Sequence, residues 1–316
     1  MELTKLMKLL SIIVPCFNEE NSINLFYNEI NETLKNIDIN YQILFIDDGS
    51  NDNTLTTIKK LSIRYNNIKY ISFSRNFGKE SAIYAGFQYS KNCDYVVIMD
   101  VDLQDPPSLL PEMIDIIQNS NYDIIATRRV SRKGEPIIRS YFARLFYKII
   151  NRISNLELAD GVRDYRIMTK EVANSILQLT EYNRFSKGLF SWVGFKTKWV
   201  EYENIERKTD ESSWSFWELV KYSIEGIVAF STLPLSISTF FGILISIIAF
   251  FFMIFIIIRN LLYGDPVQGW ASTICIILLL SGIQLFSIGI LGKYLEKTYL
   301  ETKHRPIYII KEFNID

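Results

Sequence analysis

Histidine and cysteine are nearly missing from this chain: 316 residues hold one histidine, His304, and three cysteines, Cys16, Cys93 and Cys275. His304 lies far from every acidic motif, which argues against a histidine-based hydrolytic triad or a histidine-rich metal site. No C-x-x-C spacing occurs, so neither a zinc ribbon nor a disulfide framework is supported, and the thiols are expected to be reduced and cytosolic. Any metal must therefore be held by oxygen. Long basic tracts are also absent, and a formal net charge of -1 gives no bulk attraction to nucleic acid. No G-x-G-x-x-G follows the first apolar run and no G-x-x-x-x-G-K-[ST] appears, which disfavours a dinucleotide dehydrogenase and a P-loop ATPase. Met1 to Lys8 mixes charged and apolar residues and Leu9 to Val14 is too short for an h-region, so no signal peptide is expected. There is no internal repeat and no low-complexity tract.

What is present begins with an apolar run, Tyr95 to Met99, that reads as a buried strand and releases Asp100, Val101, Asp102, Leu103, Gln104 and Asp105 into a turn closed by Pro106 and Pro107. Two carboxylates at alternate positions after a strand suit a divalent cation and a nucleotide diphosphate, because Mg²⁺ and Mn²⁺ prefer hard oxygen ligands and keep part of their coordination for water and phosphate. A solvated turn is the plain alternative, and D-x-D alone is a weak signal.

Context strengthens it. Leu9 to Val14, Tyr41 to Ile46, Ile68 to Ser72 and Ile124 to Thr127 read as further strands, and helical patterns run to Leu34, over Thr54 to Tyr65 and over Gly78 to Ser90. Strands alternating with helices predict a doubly wound, mostly parallel α/β sheet. Ligands in such sheets bind beyond the carboxyl ends of the strands. Pro15 to Glu20, Asp47 to Ser50 and Asp100 to Asp105 each follow a strand, so these loops should converge on one crevice. Taken singly, Asn18 or Asp52 could simply cap a helix.

The far end of the chain is different. Leu233 to Ile258 and Trp270 to Leu291 contain no charged residue, and each is long enough to cross a hydrocarbon core about 30 Å thick. Gly264, Asp265 and Pro266 mark a turn between them, so a transmembrane hairpin is expected, with a buried soluble hairpin as the alternative. Lys208 and Lys221 precede the first span, and Lys293, Lys297, Lys303 and Arg305 follow the second. The connecting loop has only Arg259, which puts the N-terminal part and the tail in the cytoplasm. Arg128, Arg129, Arg132, Lys133, Arg139, Arg144, Lys148 and Arg152 alternate with Tyr141, Phe142, Leu145, Phe146 and Ile149. Such a helix reads as a membrane-surface element, a phosphate clamp or a solvated face. Trp214 to Phe230 is a second amphipathic stretch, with Trp214 and Trp217 suited to the headgroup level.

These residues resemble the family 2 glycosyltransferases of the GT-A fold, and within them the polyisoprenyl-phosphate branch that includes bactoprenol glucosyltransferases and dolichol-phosphate mannose synthase. The resemblance runs through VPCFNEE at Val14 to Glu20, FIDDGS at Phe45 to Ser50, SRNFGKE at Ser74 to Glu80 and MDVDLQDPP at Met99 to Pro107. It continues in DYR at Asp164 to Arg166, NRFSKGLFSWVGF at Asn183 to Phe195, GDPVQGW at Gly264 to Trp270 and ETKHRPIY at Glu301 to Tyr308. The last three point to the two-span, bactoprenol-type branch.

The resemblance implies that Pro15, Phe17, Asn18, Glu19, Asp47 and Asp48 hold the nucleotide's base and ribose, with Asp100 near the ribose and diphosphate. It implies Asp102 and Gln104 as ligands of Mg²⁺ or Mn²⁺, Arg128 and Arg139 as clamps on the acceptor phosphate, Asp164 as the base, and Arg184 and Lys187 near the diphosphate or acceptor. Two positions depart from the family pattern. Ala143 replaces the serine of R-x-x-x-S, and Asp210 and Glu211 stand where a glycine often precedes the flexible loop's serine and aromatic.

The expected organisation is a cytoplasmic GT-A catalytic domain over 1–210, an amphipathic interface helix over 211–232, a transmembrane hairpin over 233–294 with spans at about 233–258 and 270–291, and a cytoplasmic tail over 295–316. The expected protein is a multi-pass enzyme of the inner (plasma) membrane, a homo-oligomer and, by resemblance, a tetramer. The expected reaction is inverting transfer of one hexose, with UDP-glucose as leading donor, to undecaprenyl phosphate for cell-envelope glycan modification. UDP-N-acetylhexosamine, UDP-4-amino-arabinose and GDP-mannose stay open as donors, as does a non-catalytic, membrane-anchored binding subunit. A processive polysaccharide synthase is disfavoured, since Q-x-x-R-W is absent and such enzymes need more spans.

Overall fold

The computed structural model describes residues 7–130, 161–203, 227–229, 231–263 and 269–315. These residues divide into two compact units, one formed by the N-terminal part together with Arg305–Asp316 and the other by Ile224–His304.

The first unit is built on β1 (Leu9–Cys16), whose run LLSIIVPC is almost wholly buried. A near-continuous apolar strand belongs at the centre of a sheet covered on both faces. It pairs in parallel with β2 (Asn40–Asp47) and with β4 (Tyr95–Ile98), and β2 pairs in parallel with β3 (Ile68–Phe73). The right-hand part adds β5 (Ile124–Arg129), β6 (Val162–Thr169) and β7 (Thr197–Tyr202). There β6 runs antiparallel to both β4 and β5, while β7 runs parallel to β5. A short strand near the C-terminus, β8 (Ile310–Phe313), closes the other edge antiparallel to β3. The eight strands lie in the order β7-β5-β6-β4-β1-β2-β3-β8. The expected parallel centre is present, and its flanks make the sheet mixed.

Helices cover both faces. On one, α1 (Ile23–Leu34) buries Ile23, Phe26, Tyr27, Ile30 and Leu34, the single stripe that its 3.6-residue period provides. Its neighbours are α2 (Thr54–Arg64) and α4 (Leu110–Asn119), packed on a core that includes Phe45, Val97 and Tyr165. The opposite face carries α3 (Lys79–Tyr89), α5 (Lys170–Leu177) and α6 (Ser186–Trp192) over Ile13, Phe73, Phe87 and Met168. Gly86 lets α3 lie directly on β1, since a Cβ there would collide with the Ile13 side chain.

The second unit contains α7 (Leu233–Tyr263) and α8 (Trp270–Thr302). Among the described residues one stretch, Leu233–Phe252, is long and apolar enough to cross a membrane, with a mean hydropathy of 2.4 and no burial. Both helices outrun the apolar segments read from sequence. Arg259 lies in α7 rather than in a loop, and α8 passes Lys293 and Lys297. Hydropathy marks where a helix is apolar, whereas helical hydrogen bonding continues through charged residues until a breaker intervenes.

The C-terminal segment also differs from a simple tail. Beyond α8 it rejoins the sheet: Tyr308 stacks on Phe73 with ring centroids 4.8 Å apart, and Asn314 Oδ1 accepts a hydrogen bond from the Tyr70 amide. Lys59 forms an ion pair with Glu312. Four residues paired to a strand far back in the sequence carry little local signal. Deleting residues 306–316 should open the β3 edge, lower Tm by at least about 4 °C and promote aggregation. Unchanged melting by differential scanning fluorimetry would contradict a structural role for β8.

Candidate active site

The sheet register brings three loops to one edge. Cys16 lies opposite Asp47, and Ile13 lies opposite Ile98, so the segments after β1, β2 and β4 leave the sheet side by side. The first two are stitched together. The Asn18 amide donates to Ser50 Oγ at 3.0 Å, Asn18 Oδ1 accepts from the Asn51 amide at 2.9 Å, and the Glu19 amide donates to Thr54 Oγ1 at 2.7 Å. Glu20 accepts from the Asn53 amide at 2.9 Å, and Glu19 accepts from Ser22 Oγ at 2.8 Å. Asn18 has φ 54, a left-handed conformation that asparagine tolerates better than most residues. Pro15 is half-buried and Phe17 is exposed on this edge.

Asp47 and Asp48 turn inward. Asp47 accepts from the Ser50 amide at 3.1 Å and from Ser72 Oγ at 2.7 Å. Asp48 accepts from the Phe77 amide at 2.6 Å and the Gly78 amide at 2.8 Å. Burial pushes the Asp48 carboxyl up, and Asp47 adds to the rise, against the two amides that favour its charged form; the balance lies at about 6. Each of these four carboxylate oxygens accepts from a donor of the protein itself and keeps a second lone pair. Asp48 fixes the backbone that precedes α3, where Gly78 has φ 96.

The next two residues carry the charge of the site. Lys79 Nζ donates to Asp100 Oδ2 at 2.9 Å and to Asp164 Oδ2 at 2.8 Å, bridging the end of β4 to β6. Glu80 accepts from the Ser186 amide, with N–O distances of 3.1 and 3.0 Å, and from Ser186 Oγ, so it caps the first turn of α6. That helix carries Lys187. Burial alone would raise the Asp164 carboxyl, but the Lys79 ammonium, Lys187 and Arg166 outweigh it and hold the group well below the usual carboxylate range. Arg166 is itself buried, its guanidinium 3.9 Å from the Phe190 ring centroid and bonded to the Arg163 carbonyl at 2.7 Å.

The D-x-D turn has its own support. Asp102 Oδ1 accepts from the Gln104 amide at 3.1 Å, and Leu103 between them has φ 57. Asp105, 1% exposed, accepts from Arg163 Nε at 2.9 Å and from the Tyr202 hydroxyl, while Arg163 Nη2 donates to Gln104 Oε1 at 2.9 Å. Arg163 thus ties β6 to the turn, and Tyr202 ties in β7.

The expected phosphate clamp is more dispersed. Arg128 donates through Nε to Glu201 at 2.9 Å in a surface ion pair. Arg184 donates to the Leu179 carbonyl and lies 4.4 Å from the Tyr84 ring centroid. Arg132, Lys133, Arg139, Arg144, Lys148, Arg152, Trp214 and Trp217 lie outside the described residues. Among the described residues no group of three or more His, Cys, Asp or Glu side chains is arranged to hold an ion. Mg²⁺ is commonly held by one or two carboxylates, with substrate phosphate and water filling the rest of its coordination. Asp102 and Gln104, the two ligands that the resemblance implies, both lie on the turn after β4. Gln104 Oε1 shares its lone pairs with Arg163, and a carbonyl oxygen has two.

Lys79, Glu80, Asp105, Arg163, Glu201 and Tyr202 had no assigned role in the sequence reading. A usable signal did exist for the first two. A lysine at the first position of a helix opposes the helix dipole, whereas a glutamate beside it does not, so a KE pair there asks for an external acid partner for the lysine.

Because the folded Asp48 pKa of about 6 exceeds the unfolded carboxylate value of about 3.9, the folded state binds this proton more tightly. Wild-type stability relative to Asp48→Asn should therefore rise as pH falls from about 6 to 4, by an amount of the order of 2 kcal/mol. Asp164, with its lowered pKa, acts in the opposite sense and at lower pH. Its contribution is complete above the unfolded value and is lost as pH falls further. Thermal melts of the two proteins across this range check the first sign, and a flat difference would refute it.

Comparison with known proteins gives the family. The description that matches, glycosyl transferase family 2, covers residues 11–177. CsbB of Bacillus subtilis (strain 168) is 44% identical, with 97% of this chain and 92% of that protein aligned. The bactoprenol glucosyl transferase of Shigella phage SfV is 40% identical over 96% of this chain and 98% of its own. A solved structure of glucosyl-3-phosphoglycerate synthase from Mycobacterium tuberculosis, with Mn²⁺, UDP-glucose and phosphoglyceric acid, aligns with TM-score 0.49 and 18% identity over 70% of this chain and 78% of that one. From its loops, its acidic turn and its relatives, the chain belongs to glycosyl transferase family 2 and is a glycosyltransferase.

Proposed function

We propose that this glycosyltransferase moves one hexose, with inversion, from a nucleotide diphosphate sugar to undecaprenyl phosphate at the cytoplasmic face of the membrane. UDP-glucose is the leading donor. The observation that carries the reading is the cluster of Lys79, Asp100 and Asp164 at the strand ends, next in sequence to the Asp102 turn, in a chain that continues into a membrane-length apolar helix. Relatives named bactoprenol glucosyl transferases, aligned over nearly the whole chain, support the lipid acceptor and the glucose.

In this reading Pro15, Phe17, Asn18 and Glu19 frame the nucleotide, with Asp47 and Asp48 supporting that edge from within and Asp100 facing the ribose and diphosphate. Asp102 and Gln104 hold Mg²⁺ or Mn²⁺, which when bound offsets negative charge on the departing diphosphate. Arg128, Arg139, Arg184 and Lys187 draw the acceptor phosphate toward the donor. Bringing two polyanions together is the main electrostatic task, and preorganised cations perform it with little reorganisation. Arg128 must exchange Glu201 for phosphate to take part. Its strand position at the same sheet edge permits that, because an exposed ion pair is worth little. We further propose that α8 crosses the bilayer beside α7 as a hairpin, since Trp270 to Leu291 carries no charge.

Purified protein in lipid nanodiscs, given undecaprenyl phosphate and a panel of nucleotide sugars, should yield a lipid carrying one hexose by mass spectrometry, fastest with UDP-glucose. No glycosylated lipid with any donor would overturn the reading. Asp102→Asn should cut turnover about 10²- to 10³-fold while leaving the Tm within a few degrees of wild type. Near-normal turnover would remove Asp102 from the metal and diphosphate site.

A further inference from the structure

Lys79 stands at the first residue of α3, where the positive end of the helix disfavours a cation. Its backbone is set by Asp48 through the two preceding amides, and Gly78 supplies the left-handed turn that starts the helix. From there the ammonium reaches two carboxylates, Asp100 just beyond β4 at 2.6 Å and Asp164 on β6 at 2.8 Å. Such a placement works against helix stability and answers to the carboxylates alone. Asp164 is faced by Lys79 and Glu80 from α3, by Lys187 from α6, and by Arg166 on its own strand; Asp100 joins through Lys79.

We infer that Lys79 is a positioning residue of the transfer: by bridging Asp100 and Asp164 it keeps Asp164 a fixed, ionised carboxylate that orients neighbouring cations toward phosphate, rather than a base that removes a proton. The inference rests on the phosphate-acceptor reading given above. A phosphomonoester has its second pKa at about 6 and is mostly a dianion at neutral pH. One of its oxygens forms the bond to the anomeric carbon, the bond from that carbon to the nucleoside diphosphate breaks, and the electron pair leaves with the diphosphate. No proton has to be taken from the acceptor. A carboxylate held well below its usual range is a poor proton acceptor at neutral pH and a dependable anion, which matches the chemistry. It also orders the site, because Arg166 and Lys187 have an anion to face before substrate arrives.

A double-mutant cycle tests this. In Lys79→Met kcat should fall about a hundredfold with little change in the KM of either substrate, since the loss is of alignment in the transition state. Lys79→Arg, which keeps the charge, should recover most of that loss. Lys79→Met combined with Asp164→Asn should be no slower than the slower single variant, as expected for residues acting as one unit. Losses that multiply in the double variant, failure of Lys79→Arg to recover activity, or wild-type turnover by Lys79→Met would overturn the inference. The same cycle read from thermal unfolding needs no substrate. A wild-type enzyme inactive on polyprenyl phosphate would thus sink the proposed reaction while the cycle still reported on the Lys79–Asp164 pair, and additive Tm changes would then overturn it.

Discussion

A buried carboxylate holding two backbone amides is the constraint on which the site depends. Asp48 accepts from Phe77 and Gly78, and so decides where α3 begins and in what direction its first residues point. Lys79 can then span to β4 and β6, and Glu80 can reach the first turn of α6. Three strand ends and two helices are joined through four consecutive residues. The two amides are partly buried and bond to an ionisable carboxylate, and hydrogen bonds to charged groups are stronger than neutral ones. The loop between β3 and α3 is best regarded as the keel of the site rather than as a connection.

The acidic residues at this edge show how environment divides a single chemistry. Asp48 is pushed up by burial in spite of its amide donors, while Asp164, half-buried, is pulled down because cations surround it. Asp105 is consumed by Arg163 and Tyr202 and serves the shape of the D-x-D turn. Of the acids that a motif reading groups together, several are structural, and they are the ones that make the remaining carboxylates well placed. The arrangement is thus layered, with Asp47, Asp48 and Asp105 fixing loops while Asp100 and Asp164 share Lys79.

The central strands and the loops that follow them were legible because their signals are local: an apolar run such as Leu9 to Val14, a turn such as Asp47 to Ser50, a helix stripe such as that of α1. β6, β7 and β8 were not, since each is defined by pairing with a distant strand. The inward turn of Asp47 and Asp48 was hidden for the same reason, because its donors Ser72, Phe77 and Gly78 belong to β3 and the loop after it. The family resemblance implies Arg128 as a phosphate clamp. Glu201, its partner in the fold, lies on β7, a strand that no local pattern announced.

The position of β8 in the chain bears on how the enzyme is made. This strand follows both long helices in sequence yet completes the sheet formed by the N-terminal residues. During synthesis the nascent sheet must therefore wait, with one margin of β3 unpaired, until the ribosome has delivered both helices and the segment beyond them. Domains otherwise tend to fold in order of emergence. Here completion of the sheet is deferred until α7 and α8 have left the exit tunnel, so the apolar α7 can meet lipid before the sheet finally closes.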